Sequence, residues 1–385
     1  MDRRNFLVAT GAVAASLALP SGGSAAGDPA GGDGPAAPSP GGASTGPAPR
    51  PTPSPGGGWR TWETTVRAEV ARPAGKTRIW LPAPLTVDTP YQRTTGNWWR
   101  AEGGTAGQWI DPVFGAGLVW AEFPAGTAPV LELVSRFATR DVAVDLSGPG
   151  TAAPEAPAAL ARYLAPTELL PTDGIVRTTS DRIVKGATGD LARARAIYEW
   201  VVEKARRDPK TRGCGTGDVR FMLENDALSG KCADLNALFV ALVRSQGIPA
   251  REVYGIRIAP SALGYASLGK GGGVITKAQH CRAEFHVQGR GWIPADPADV
   301  LKVILEEDGG KAPGDPKVVA ARQRLFGSWE MNWMAYNFAH DVSLPGSGGA
   351  KLGFLMYPQA ETGEGRVDCL DPDGFRYAIT AREVA

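Results

Sequence analysis

Apolar residues at Leu235, Leu238, Phe239, Leu242 and Val243 step by three, one, three and one, which predicts a helix with a buried stripe. Gly247 and Pro249 stop it, and Ser229 or Gly230 lies where it should begin, so Cys232 falls in the first turn. A second stripe, Leu191, Ala194, Ile197, Tyr198 and Val201, predicts a helix from Asp190 to Lys204 with Thr188 as its cap. From Gln279 to Val287 the pattern changes to alternation. Cys281, Ala283, Phe285 and Val287 share one face, and His280, Arg282, Glu284 and His286 share the other. The apolar set marks a core face, so His280 is expected to look toward whatever covers the second face, taken to be the Cys232 helix. Gly289 to Gly291 predicts a hairpin turn, Trp292-Ile293 the start of the return strand, and Asp296-Pro297 its end. His280 and Asp296 then become approximate cross-strand neighbours.

Before this region the rhythm is that of an all-β segment. Strand-like runs cover Thr65 to Ala71, Thr77 to Leu81, Gly117 to Phe123 and Val130 to Ala138, and seven of the 11 Trp fall between Trp59 and Trp120. A small sandwich is expected. Trp98-Trp99 is either a ligand platform or core, and core packing is the expected reading. Pro154 to Tyr163, Asp181 to Val184 and Lys317 to Leu325 read as helices. Trp329 to Ala339, Leu352 to Tyr357 and Phe375 to Thr380 read as strands that extend the His280 sheet or pack at its end. Met331, Trp333, Tyr336 and Phe338 belong to the core rather than a site. The loop Arg212 to Asp218 is Gly-rich but lacks the Lys-Ser/Thr of a phosphate loop; it reads as a cleft wall or an ordinary connection. Pro260 to Ala278 is a flexible flap or a plain surface loop.

Composition narrows the function. Lys+Arg 41 against Asp+Glu 40 gives a net charge of +1 with no charged block, which argues against a nucleic-acid partner or an anionic membrane surface. No apolar run is long enough for a membrane span, so stable membrane insertion is not expected. Residues 1–26 read as a signal peptide: a charged start, an apolar run from Phe6 to Leu19, then Ser24-Ala25-Ala26. Arg3-Arg4 before Phe6-Leu7 resembles the twin-arginine export signal, which implies a periplasmic or extracellular protein. Residues 27–58, almost wholly Gly, Ala, Pro, Ser and Thr, have nothing to bury and read as a disordered linker. Residues 59–150 form the β-domain of this scheme, and 151–385 the domain carrying chemistry.

That chemistry rests on a thiol, an imidazole and a carboxylate. At a helix start Cys232 lies against unpaired N–H groups and the positive end of the helix dipole, which favour thiolate. His280 can take its proton, and Asp296 can orient the imidazole. The full set is Gly230-Lys231-Cys232, then Arg244-Ser245-Gln246-Gly247-Ile248-Pro249-Ala250-Arg251, then His280 opening a strand, then Gly291-Trp292-Ile293-Pro294-Ala295-Asp296-Pro297. In this order it resembles the transglutaminase-like superfamily, whose bacterial members are mostly described as cysteine peptidases. The resemblance spans roughly Thr188 to Val300. It implies an α+β fold, a papain-like or transglutaminase-like core with the nucleophile helix packed on an antiparallel sheet. It also implies Cys232 as nucleophile, His280 as general base and Asp296 as orienting group. Arg282 departs from the Trp common two residues after the His. The local Cys-Gly-Ser-Cys-Trp signature of papain itself is absent.

Three functions remain open: amide hydrolysis through an acyl-enzyme, crosslinking of a Gln acyl group to a Lys amine, and a non-catalytic envelope binding module. The expected partner is a protein or peptide, a cell-wall peptide among them; no cofactor is implied and the oligomeric state is open. A metal site through His280, Cys281 and His286 is disfavoured, because neighbours on a strand face opposite ways. Of the four Cys, Cys214, Cys281 and Cys369 are left for at most one disulfide, Cys214–Cys281 or Cys214–Cys369.

Overall fold

The computed structural model describes residues 57–271 and 273–384. The expected signal peptide, and the linker up to residue 56, lie outside the described residues. At the centre is the helix Cys232–Ser245, with all of its residues buried. Ala, Leu and Val occur all round it, and a helix apolar on every side is stable only when enclosed. Helices Gly174–Ile183, Asp190–Lys204 and Pro297–Glu306 flank it. The stripe read from the sequence is the buried side of Asp190–Lys204, but its N-cap is Gly189 rather than Thr188. Tyr198 meets Phe239 edge-on across the helix pair at 6.4 Å.

On the other side lies an antiparallel sheet in the order Gly291–Ala295, Gln279–Val287, Ala250–Arg257, Trp333–Asn337. The α+β core is therefore a helix on an antiparallel sheet, as expected. The face of the His280 strand that meets this helix is not the expected one. Phe285 packs on Phe239, and Cys281 reaches Cys232, so the helix covers the apolar face. Arg282, Glu284 and His286 turn instead toward Trp329, Trp333, Tyr91 and Trp292. The sheet is buried on both sides, and alternation alone could not say which cover carries the thiol.

Two further sheets flank this core. One runs Phe375–Val384, Arg60–Val70, Val130–Thr139, Gln92–Arg100; the other runs Gly365–Val367, Gln359–Thr362, Thr77–Pro82, Gly117–Phe123, Thr105–Ile110. All pairings are antiparallel, and Val66, Ile79, Leu81, Val119, Phe123 and Leu133 join in one apolar layer between them. Both sheets combine strands from opposite ends of the chain, with Thr61 opposite Val384. Among the late strands expected beside His280, only Trp333–Asn337 pairs in that sheet. Met331, Trp333, Tyr336 and Phe338 are core residues, as expected. Trp98 and Trp99 are not. They sit on the edge strand Gln92–Arg100, outside the apolar layer, 53% and 38% exposed. Among the described residues no helix is long and apolar enough to cross a membrane.

Candidate active site

Cys232 is the first residue of its helix, with Lys231 as N-cap. Asp234 holds that start together: one carboxylate oxygen accepts from Lys231 N at 3.0 Å, the other from Thr216 N at 2.9 Å and Gly217 N at 3.0 Å. Gly215 has φ +96°, and a Cβ there would stand 1.8 Å from the Asp234 carboxylate. Only glycine lets the loop lie flush against the helix. The loop is then locked by Ala233 N donating to Cys214 O at 2.9 Å. Lys231 Nζ donates to Thr211 O at 2.7 Å, so its charge is carried on the loop side.

His280 opens its strand opposite Gly255. A side chain at Gly255 would collide with the Trp333 ring, whose Nε1 donates to His280 O at 2.8 Å. Ala283 pairs with Ala295, which sets Asp296 opposite Arg282 and two residues from His280 on the same face. His280 Nε2 and Asp296 Oδ2 lie 2.8 Å apart, leaving Nδ1 for the sulfur, with which the ring hydrogen-bonds. The structure thus brings all three sequence-derived residues together, with Cys232 and His280 each 4% exposed and Asp296 0%. Asp296 also caps the next helix, accepting from Asp299 N at 3.0 Å. Arg282 lies against the Trp329 and Trp333 rings with its Nε 3.7 Å from Asp296.

Four neighbours escape the sequence reading. Asp299 is 3.4 Å from His280 Nε2 and 2.5 Å from Arg257. Asn236, one turn beyond Cys232, donates to Cys281 O at 2.9 Å and reaches Asp296 at 3.4 Å. The signal for these three is a polar residue inside an apolar run. Cys214 is visible in the sequence only as a disulfide candidate. Among the described residues all four thiols are free; Cys214 Sγ donates to Gln279 O at 3.5 Å, and Cys214 and Cys281 border Cys232 closely enough to shift its thiol.

These contacts move protons. Hydrogen bonds from Cys214 and then Cys281 hold the Cys232 thiol well below its ordinary range; burial opposes them, and His280 reinforces them. The donors move the opposite way: donation to Cys232 and burial push Cys214 up, and burial and donation push Cys281 up. Burial and the Arg257 charge resist protonation of His280, yet Asp299 and Asp296 prevail and raise it to about 9. Burial favours neutral Asp299, but Arg257 overrides it and holds that carboxyl well below the usual range. Both shifts favour the charged pair, a thiolate beside an imidazolium, over the neutral one.

The sulfur opens on a cleft of about 600 Å³ whose walls include Cys214, Gln279, Tyr357, Phe375 and Tyr377. The Arg212–Cys214 loop forms one side, and Gly269–Lys270 with Thr276–Gln279 another. The latter is fastened rather than free: Lys270 N donates to Ala259 O at 3.0 Å and Ile275 N to Ile379 O at 2.8 Å. Gln279 Nε2 is buried with no hydrogen-bond partner among the described residues. His280, Asp296 and Asp299 place donor atoms within 4.8 Å of one another. The Arg257 and Arg282 guanidiniums already balance that charge, which makes the trio a poor cation site.

An uncharacterised protein of Haemophilus influenzae is 40% identical over 231 residues, and the match spans 58% of this chain and 62% of the relative's length. The chain therefore covers less than two thirds of that relative. A candidate cysteine protease from Cytophaga hutchinsonii aligns with TM-score 0.49 at 14% identity, over 85% of this chain and 99% of its own. The periplasmic domain of TgpA from Pseudomonas aeruginosa aligns with TM-score 0.32 at 16% identity, over 61% and 90%. The model of the transglutaminase-like superfamily matches residues 177–297, a stretch holding Cys232, His280 and Asp296, so this part of the chain is similar to a transglutaminase-like domain.

Proposed function

We propose that this protein is an exported cysteine-dependent acyl-transfer enzyme that hydrolyses an amide bond. One observation carries the reading: the Cys232 sulfur meets His280, whose far nitrogen is held by Asp296. The thiolate attacks the scissile carbonyl and an S–C bond forms. His280 gives its proton to the leaving nitrogen as the C–N bond breaks, leaving a thioester. His280 then takes a proton from water, the hydroxide adds to the thioester, and a carboxylic acid leaves as the thiolate returns. Cys232 N–H, in the first helical turn, and the unpaired Gln279 Nε2 are the proposed donors to the oxyanion.

Water is favoured over a Lys amine as acceptor because the cleft lining includes seven Lys and Arg and, among the described residues, no acidic side chain to receive an ammonium group. Arg3-Arg4 and the apolar run from Phe6 support export by the twin-arginine route. The deciding experiment treats wild type and Cys232→Ala with a peptidyl acyl electrophile and maps the adduct by mass spectrometry. Labelling confined to Cys232 supports the reading; labelling that survives in Cys232→Ala, or is absent from wild type, removes it. Incorporation of a dansyl amine into a Gln substrate would move the assignment to crosslinking.

A further inference from the structure

The chain as a whole is nearly neutral, but the cleft is not. Seven of its 21 lining residues are Lys or Arg and none is Asp or Glu. Some of this charge is answered locally. Arg257 pairs with buried Asp299, Arg207 and Lys302 share Glu306 at 2.5 and 3.6 Å, and Arg212 meets Asp368 at 2.5 Å. Lys231, Lys270 and Lys277 have no carboxylate partner among the described residues, and Lys270 and Lys277 are exposed. The positive end of the Cys232 helix opens on the same space. Lys302 registers the excess: burial, then the charge of Arg257, pushes its amine below the ordinary range. Cations gathered in a concave, partly apolar site focus a field that neutral substrates do not use. Tyr357, Phe375 and Tyr377 give the same cleft apolar surface for an extended chain.

Resting on the thiol reading above, we propose that the acyl donor is an acidic peptide whose carboxylates flank the scissile carbonyl and are met by Lys270 and Lys277. Both lysines line the same cleft as the sulfur and the Arg212–Cys214 loop, and the backbone is held at Lys270 and at Ile275, so they meet the substrate within the cleft rather than at a remote surface. At this exposed rim the two ion pairs acting together change affinity by up to about tenfold.

The test uses the full chain and two acyloxymethyl ketone peptides, identical except that Asp and Glu on the acyl side of one become Asn and Gln in the other. The second-order rate of Cys232 labelling is measured in wild type and in Lys270→Glu/Lys277→Glu. The acidic probe is expected to label wild type about tenfold faster at low ionic strength, with the preference shrinking in ~0.5 M salt as screening shortens the field. In the doubly reversed variant the order of the two probes should invert. Equal labelling of Cys232 by both probes in wild type overturns the charge inference and leaves the thiol reading standing. Labelling of Cys232 by neither overturns the thiol reading and this inference with it. The salt comparison on wild type decides the matter even where the variant does not fold.

Discussion

The two-sheet part and the transglutaminase-like part handle charge in opposite ways. In the sheets many ions lie at the surface: Arg60 and Glu383 meet at 2.7 Å with side chains 45% and 48% exposed, and Glu63 ties the exposed Arg136 and Arg382 across neighbouring strands. Around Cys232 they are buried. Arg257–Asp299 and His280–Asp296 lie at 2.5 and 2.8 Å with no side chain more than 5% exposed. A surface pair contributes about 0–1 kcal/mol and is screened by salt. A buried pair loses its hydration, so it persists only where further hydrogen bonds complete it. Asp296 shows that completion, with His280, Asn236 and the Asp299 N–H all on its two oxygens. The difference teaches that the buried ions set one another's proton affinities, while the exposed ones decorate a fold that the apolar layer already holds.

The sharpest way to break this contrast is Cys232→Ala, expected to lower kcat on an acidic peptide by about 10⁶-fold with the circular dichroism spectrum retained. Asp296→Asn should follow at about 10⁴-fold, because it keeps the shape and removes the charge that orients His280. A fall of tenfold or less would mean that Asp299 does that work. Trp80→Ala, in the second sheet and fully buried, should lower stability by about 3–5 kcal/mol in urea titration while leaving Cys232 labelling of the folded protein unchanged. Loss of labelling would show that the two parts act as one.

The pH profile is a finer probe. His280 is raised from 6.5 to about 9, so the imidazolium is present below that value and lost above it. Activity should fall about tenfold per pH unit beyond 9. The same sign governs stability: the contribution of the His280 proton is complete below about 6.5 and disappears as pH rises through about 9. On the acid side the thiolate should persist well below the ordinary thiol range. An alkaline limb near 7 would contradict the paired carboxylates. Smallest of all, Arg60→Ala should cost less than about 1 kcal/mol and leave activity untouched.

Much of the site is legible in the sequence. Cys232, His280 and Asp296 each sit where local rules place them: a helix start after Gly230, a strand start, and a Pro-marked strand end beyond a hairpin. The hairpin register is a local property, since Val287 faces Gly291 across a three-residue loop. A nearly continuous apolar run marks the strand Gly117–Phe123, and alternation marks Gln279–Val287, each to the residue. Gln92–Arg100 and Thr105–Ile110 give no such signal, because each is polar, Gly-containing and only partly buried. Trp98 and Trp99 mislead for a related reason: a large ring suggests core, but whether a strand lies at an edge is decided by its neighbours.

Local spacing along the chain thus marks the candidate residues and the elements that present them. What it cannot specify is every relation between distant segments. These are the face of the His280 strand that receives the helix, the closure of the first sheet by Phe375–Val384, and the meeting of Arg257 with Asp299 from 42 positions away. Periodicity reports that a face is buried and not what buries it. The proton affinities of Cys232 and His280 depend on that second fact, because burial and the charges of remote segments, rather than residue type, decide which form is charged.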